Sequence, residues 1–209
     1  MSIGESNMRD LRKYSYCKVN IALAVLQAAV FALCLITKDL VLIAGRCGTD
    51  SVLVKGEYWR LLTGIFLHSG LYHLGSNLLV QILMGGPVER NLGHIRYLIL
   101  YLASGIGGNI ISVLYDRARG VNVYSVGASG AVFGVMGALI VLIIRGRKNL
   151  RAGSSLPARA AFAVFYAVYA GFRTPYTDNA AHIGGLALGL VLGALFSIRL
   201  DKVDLRDLR

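Results

Sequence analysis

The stretch SVGASGAVFGVMGAL, residues 125–139, continues as IVLII to residue 144 and carries no ionisable side chain over those 20 positions. About 20 apolar residues are what an α-helix needs to cross the hydrocarbon core of a bilayer. Lipid offers the backbone no water, so a crossing segment closes its own hydrogen bonds as a helix. Reading this stretch as a span therefore points to an all-α, polytopic membrane fold. The stretch also holds Gly127, Gly130, Gly134 and Gly137. Glycine weakens a helix in water, but in a bilayer it lets helices meet backbone to backbone. Between the first two glycines sits Ser129, a hydroxyl that needs a reason.

The rest of the chain repeats the pattern. Of 209 residues 56% are apolar and only 16% charged, with mean hydropathy +0.60, against about 25% charged in soluble proteins. Apolar runs of spanning length occur at roughly 19–37, 73–92, 95–115, 125–144, 157–174 and 181–199. They predict a six-transmembrane-helix bundle over 19–200, between a short cytoplasmic amino terminus (1–18) and a short tail (201–209). The first run is too long for a signal peptide and no small-residue cleavage site follows it.

Charge sets the orientation. The amino terminus, the 2–3 turn, the 4–5 loop and the tail hold 15 of the 22 Lys and Arg residues, and the opposite connections hold seven. The positive-inside rule then places both termini in the cytoplasm. The net charge of +11 is scattered in short clusters without a basic stripe and interleaved aromatics, so no nucleic-acid partner is expected. Cys17, Cys34 and Cys47 offer neither a disulfide framework nor metal-ligand spacing, and no metal or cofactor is expected. The longest connection, about 38–72, falls on the outer side. Its GEYWRLLTGIFLHSG reads as short amphipathic helices lying in the membrane surface.

Polar side chains inside spans are costly and mark candidate sites. Three groups stand out: HLGSN (73–77), GASG (127–130) and AHIGGLALG (181–189). In this orientation spans 2, 4 and 6 all enter from the outer face. With Ser129 about four residues into span 4, and His73, Asn77 and His182 near the starts of theirs, all four residues share one depth at about 1.5 Å per residue. His73 and Asn77, at i and i+4, stack on one helical face. Gly185, Gly189 and Gly193 follow His182 at i+3, i+7 and i+11, which turns the histidine into the bundle. Gly130, Gly134 and Gly137 form a similar stripe beside Ser129.

A serine hydroxyl becomes a nucleophile when a neighbouring histidine takes its proton. The oxyanion formed by its attack on a carbonyl needs preorganised donors, and Asn77, His73 and the Ser129 backbone N–H are candidates. Each group also has a plainer reading. A serine in a span back-bonds to its own helix, a histidine near a helix end packs at the interface, and a His/Asn pair glues helices. Spacing and depth leave both readings open.

At these residues the chain resembles the rhomboid family of intramembrane serine proteases. EYWR (57–60) is similar to the family's outer-loop Trp-Arg motif, HLGSN to its HxxxN, and GGPVERNLG (85–93) to the turn closing its second helix. GASG is similar to the GxSG serine motif, and AHIGGLALG to AHxxGxxxG. The resemblance implies a Ser129–His182 dyad without an acidic third member, cleaving peptide bonds in or beside transmembrane segments of other membrane proteins. It implies oxyanion and substrate roles for His73 and Asn77, with Gly127 and Gly130 keeping space at the serine. Trp59, Arg60, His68, Phe133 and Gly185 become structural residues near the site. Phe133 stands where some members carry tyrosine, keeping the ring that stacks on the histidine and losing its hydroxyl. The partners implied are transmembrane substrates and the lipid bilayer. The compact form implies the plasma membrane, a site toward the outer face, and a lateral gate built from the fifth span and the loop 173–179. The alternative is an inactive rhomboid-like protein that binds or escorts transmembrane clients.

Overall fold

The structure, a computed structural model, describes residues 17–146 and 177–198, together with 158, 161, 162, 164, 165, 169, 200 and 203. Helix α1 (Lys18–Ile36) leads into short helices α2 (Leu40–Gly45), α3 (Thr49–Leu53) and α4 (Arg60–Thr63), with strand β1 (Cys47–Gly48) among them. A 3-10 turn (Gly64–Phe66) precedes α5 (Leu71–Leu92) and α6 (His94–Ala118). Strand β2 (Tyr124–Ser125), α7 (Ser129–Gly146) and α8 (Asn179–Ser197) follow.

Four of these helices, α1, α6, α7 and α8, are long and apolar enough to cross a membrane. Helix α5 has the length, 22 residues, but carries Asn77, Gln81, Glu89, Arg90 and Asn91 and is not among the four. The span expected at 157–174 falls almost entirely outside the described residues, where only 158, 161, 162, 164, 165 and 169 are helical positions. Between α1 and α5, where short helices in the membrane surface were expected, the chain forms the three short helices α2, α3 and α4.

One boundary needs correcting. The fourth span was expected at 125–144, with Ser129 four residues inside it, but α7 begins at Ser129 itself. The preceding residues cannot be helical, because Tyr124 and Ser125 pair antiparallel with Gly48 and Cys47 and Gly127 takes a positive φ of 129°.

Helix α7 is the hub. Of its apolar window 72% is buried, against 22% for α1 at the periphery. The core gathers around it: Val135, Met136 and Leu142 pack with Val88 of α5 and with Leu100 and Tyr101 of α6. Close backbone approach explains its fit to α8. A Cβ on Gly185 would strike the carbonyl of Gly130, one on Gly189 that of Gly134, and one on Gly193 would lie 2.7 Å from the Ala138 Cα. This 130/185, 134/189, 138/193 register makes α7 and α8 run parallel, on the two glycine stripes read from the sequence.

Helix α6 runs against both. Gly105 faces Ala131, and Gly108 lies under the carbonyl of Ala181, 2.7 Å from where its Cβ would be. Gly93, at φ 84°, turns the chain between α5 and α6. Helices α5, α7 and α8 therefore point one way, and their amino-terminal ends share one end of the bundle.

Apart from this apolar core, α1, α5 and α6 are tied by buried amides and phenols. Gln27 Nε2 donates to Gln81 Oε1 at 2.7 Å, Tyr101 OH to the same oxygen at 3.0 Å, and Tyr97 OH to Asn20 Oδ1 at 2.7 Å. Gln81 Nε2 donates to the Asn20 carbonyl. The Glu89 carboxylate, 1% exposed, accepts from the backbone N–H groups of Val19 and Asn20 at the start of α1. Unpaired polar groups in hydrocarbon are expensive. This network lets α1, otherwise apolar, bind in a fixed register.

Candidate active site

Ser129 is the first residue of α7, and Phe133, one turn on, lies on the same face. The Phe133 ring stacks on the His182 imidazole with centroids 4.3 Å apart and planes 10° from parallel. With Gly185 seated on Gly130, three residues from His182 and one from Ser129, the two helices present serine and histidine to one interface. Ser129 is half-buried, whereas His182 is 9% and Phe133 6% exposed.

The segment before Ser129 is pinned from two sides. Gly127 N–H donates to the Gly64 carbonyl at 2.9 Å, and Ala128 N–H lies 3.5 Å from His68 Nε2. That leaves the first N–H groups of α7, beginning with that of Ser129, without an intrahelical partner, as at any helix start. A Cβ on Gly127 would come 2.7 Å from His73 Cε1 and Nε2 and 3.9 Å from Asn77 Nδ2, so the loop bearing the serine rests on the α5 pair. His73 is held by Ser69 Oγ at 3.1 Å from its Nδ1, and Asn77 Nδ2 donates to the His73 carbonyl. His68 stands edge-on to His73, centroids 5.1 Å apart. Burial and the neighbouring His73 push the His68 pKa down to about 4, against an opposing contribution from the Phe66 backbone. His68 is thus a neutral brace for the Ala128 backbone.

Asp178, four residues before His182, does not orient the imidazole. One of its oxygens accepts from Ala181 N–H at 2.9 Å and the other from Ser112 Oγ at 2.6 Å. His182 Nδ1 is buried with no hydrogen-bond partner among the described residues.

Trp59 and Arg60 belong to the outer loop rather than to this pocket. Trp59 is 57% exposed. Arg60 pairs with Glu57 at 2.6 Å and donates to the carbonyls of Ile43 and Arg46, bracing the loop. That loop is joined to the segment before Ser129. Besides the β1–β2 pairing, the Arg46 guanidinium lies 3.7 Å over the Tyr124 ring, and Asp50 exchanges two hydrogen bonds with Asn122. Cys47, inside this junction, has its thiol pushed up to about 12 by burial and the Asp178 charge, with Arg60 opposing.

Sequence reasoning placed a span at 95–115, where α6 lies, but gave it no part in the site. Its small residues, SGIGGN at 104–109, carry Gly105 against Ala131 and Gly108 against Ala181, and Asn109 Nδ2 donates to the Leu61 carbonyl at 2.8 Å. The density of small residues was the available signal. The expected gate at 157–174 and 173–179 lies almost wholly outside the described residues.

The family description "Rhomboid domain" matches residues 55–199. The chain is 37% identical over 155 residues to RHOMBOID-like protein 1 of Arabidopsis thaliana, covering 74% of this chain and 39% of that protein. It is 37% identical over 167 residues to Rhomboid protease GluP of Bacillus subtilis (strain 168), covering 76% and 32% respectively. It is 35% identical over 143 residues to Rhomboid-type serine protease 2 of Emericella nidulans, covering 66% and 26%. The chain spans less than half the length of each of these relatives.

Proposed function

The chain belongs to the rhomboid family, and on that premise we propose that it is an intramembrane serine endopeptidase, with Ser129 as nucleophile and His182 as its base. The observation that carries this reading is the shared wall of α7 and α8, where Phe133, one turn after Ser129, stacks on His182. In the proposed reaction Ser129 Oγ attacks the scissile carbonyl carbon while His182 takes the hydroxyl proton. The tetrahedral oxyanion is met by the Ser129 N–H with Asn77 and His73. Collapse expels the amine, which receives the proton from His182, and leaves an acyl-serine. Water, deprotonated by His182, releases the acid and restores the hydroxyl. Asp178 is engaged elsewhere, which favours a dyad over a triad.

The proposal extends to a six-span bundle with both termini cytoplasmic, the site near the outer face of the plasma membrane, and transmembrane proteins as substrates. Gly127 and Gly130 leave room for the scissile strand, and the region 157–179 forms the lateral gate. The test uses the full chain in liposomes with a single-span model substrate. Wild type cleaves, Ser129→Ala and His182→Ala do not, and a fluorophosphonate labels Ser129. Cleavage surviving Ser129→Ala would sink the dyad. Absence of both cleavage and labelling in wild type would favour an escort that binds transmembrane clients.

A further inference from the structure

The helix that carries His182 is located by groups outside the dyad. Helix α8 starts at Asn179 with Asp178 as its N-cap, and Asp178 Oδ1 accepts from Ala181 N–H at 2.9 Å. A capping carboxylate satisfies an otherwise unpaired donor and lies at the positive end of the helix dipole. This cap is itself held from a second helix, since Ser112 Oγ of α6, 4% exposed in its residue, donates to Asp178 Oδ2 at 2.6 Å. That length is in the short range of charge-assisted hydroxyl–carboxylate bonds.

The bond is the last of a row on α6. Gly108 lies under the Ala181 carbonyl, Asn109 holds the outer loop through Leu61, and Ser112, one turn beyond Gly108, reaches the cap. The first turn of α8 is therefore gripped through its backbone by Gly108 and through its cap by Ser112. His182 follows Ala181 directly. Any slip of that turn along α6 moves the imidazole relative to Ser129, which is fixed to a different helix.

We infer that Ser112 and Asp178 are positioning residues for His182, acting as a hydrogen-bonded brace from α6 to the cap of α8. This inference rests on the protease reading above. It requires the two hydrogen bonds and not the negative charge as such. Asn at 178 keeps both links, its Oδ1 accepting from Ala181 N–H and its Nδ2 donating to Ser112 Oγ. Ala at 178 keeps neither.

The test compares wild type, Asp178→Ala, Asp178→Asn and Ser112→Ala as full chains in liposomes. It measures substrate turnover and fluorophosphonate labelling of Ser129 per folded molecule, with amide hydrogen exchange over 180–183. We expect Asp178→Ala to lower kcat by about ten- to a hundredfold, the size of effect a small misplacement of a reacting group produces, with KM within about twofold of wild type. Labelling slows in parallel and exchange at 180–183 speeds up. Asp178→Asn restores kcat to within about threefold. Ser112→Ala, which leaves the cap bond in place, shows a smaller loss in kcat alone and serves if Asp178→Ala does not fold.

An active wild type whose Asp178→Ala and Ser112→Ala variants turn over normally per folded molecule would overturn the brace and leave the protease reading intact. Asp178→Asn falling as far as Asp178→Ala would overturn it too, by assigning the effect to charge. A wild type that neither cleaves nor labels would overturn the protease reading, and the positioning role with it.

Discussion

Gly127 and Gly130 flank one serine but answer to different constraints. Gly127 sits at φ 129° with the His73 ring 2.7 Å from its missing Cβ. Gly127→Ala is thus strained by backbone and neighbour together, at about 1–3 kcal/mol for the backbone alone, and proteolysis is expected to fall at least tenfold. A Cβ on Gly130 would make only ordinary contacts with the described residues: the Ala181 carbonyl at 3.5 Å, the Gly105 carbonyl at 3.8 Å and the Ala181 Cβ at 3.9 Å. Gly130→Ala should therefore keep the wild-type melting temperature, so that any fall in its cleavage rate reports directly on space for substrate. His68 gives a pH signature. Its pKa is near 4 when folded and ordinarily about 6.5, so the unfolded chain binds the extra proton first as pH falls. Stability held above pH 6.5 is lost progressively toward pH 4, by up to about 3 kcal/mol. Melting curves across that window should flatten in His68→Gln.

Between α7 and α8 the decisive quantity is backbone separation. A Cβ on Gly189 would run into the Gly134 carbonyl, and backbone cannot step aside as a side chain can. Gly189→Val is expected to destabilise by about 1–3 kcal/mol, read as a lowered melting temperature with loss of cleavage, whereas Gly75→Val, with nothing among the described residues within 4 Å of its Cβ position, is expected to leave the melting temperature unchanged. Much of this interface was legible in the sequence, because glycines recurring every three or four residues can serve little else in a bilayer helix. His73, Ser129 and His182 were expected near the starts of their spans, and they stand third, first and fourth in α5, α7 and α8. The start of α7 was not legible, since it depends on Cys47 and Gly48, some 77 residues upstream, pairing with Ser125 and Tyr124. Periodicity within a window contains no such long-range information. Neither the capping of α8 by Asp178 nor its tie to Ser112 was read from the sequence, since the second joins residues 66 positions apart.

Across the whole molecule, two kinds of adhesive divide the work. Helices α6, α7 and α8 are joined mainly through small residues, and α1 is joined to α5 and α6 by amides and phenols. Gln81 is the hub of the second set, with two bonds accepted and one donated by its side chain. Gln81→Leu removes all three. At about 0.6 kcal/mol for a hydrogen bond between membrane helices, the expected loss is about 2 kcal/mol, measurable by unfolding in bicelles.

The same network fixes an order of events during synthesis. Asn20 and Gln27 are made first, and their partners Gln81, Tyr97 and Tyr101 lie 54 to 77 residues later. At about 5–20 residues per second the wait is about 3 to 15 s. During that interval α1, whose mean hydropathy of 2.5 is ample for insertion, stands in the membrane with two unmatched amides. It is committed to the bilayer well before it is committed to the protein, and a chaperone or translocon surface able to shelter those two side chains would act in that gap.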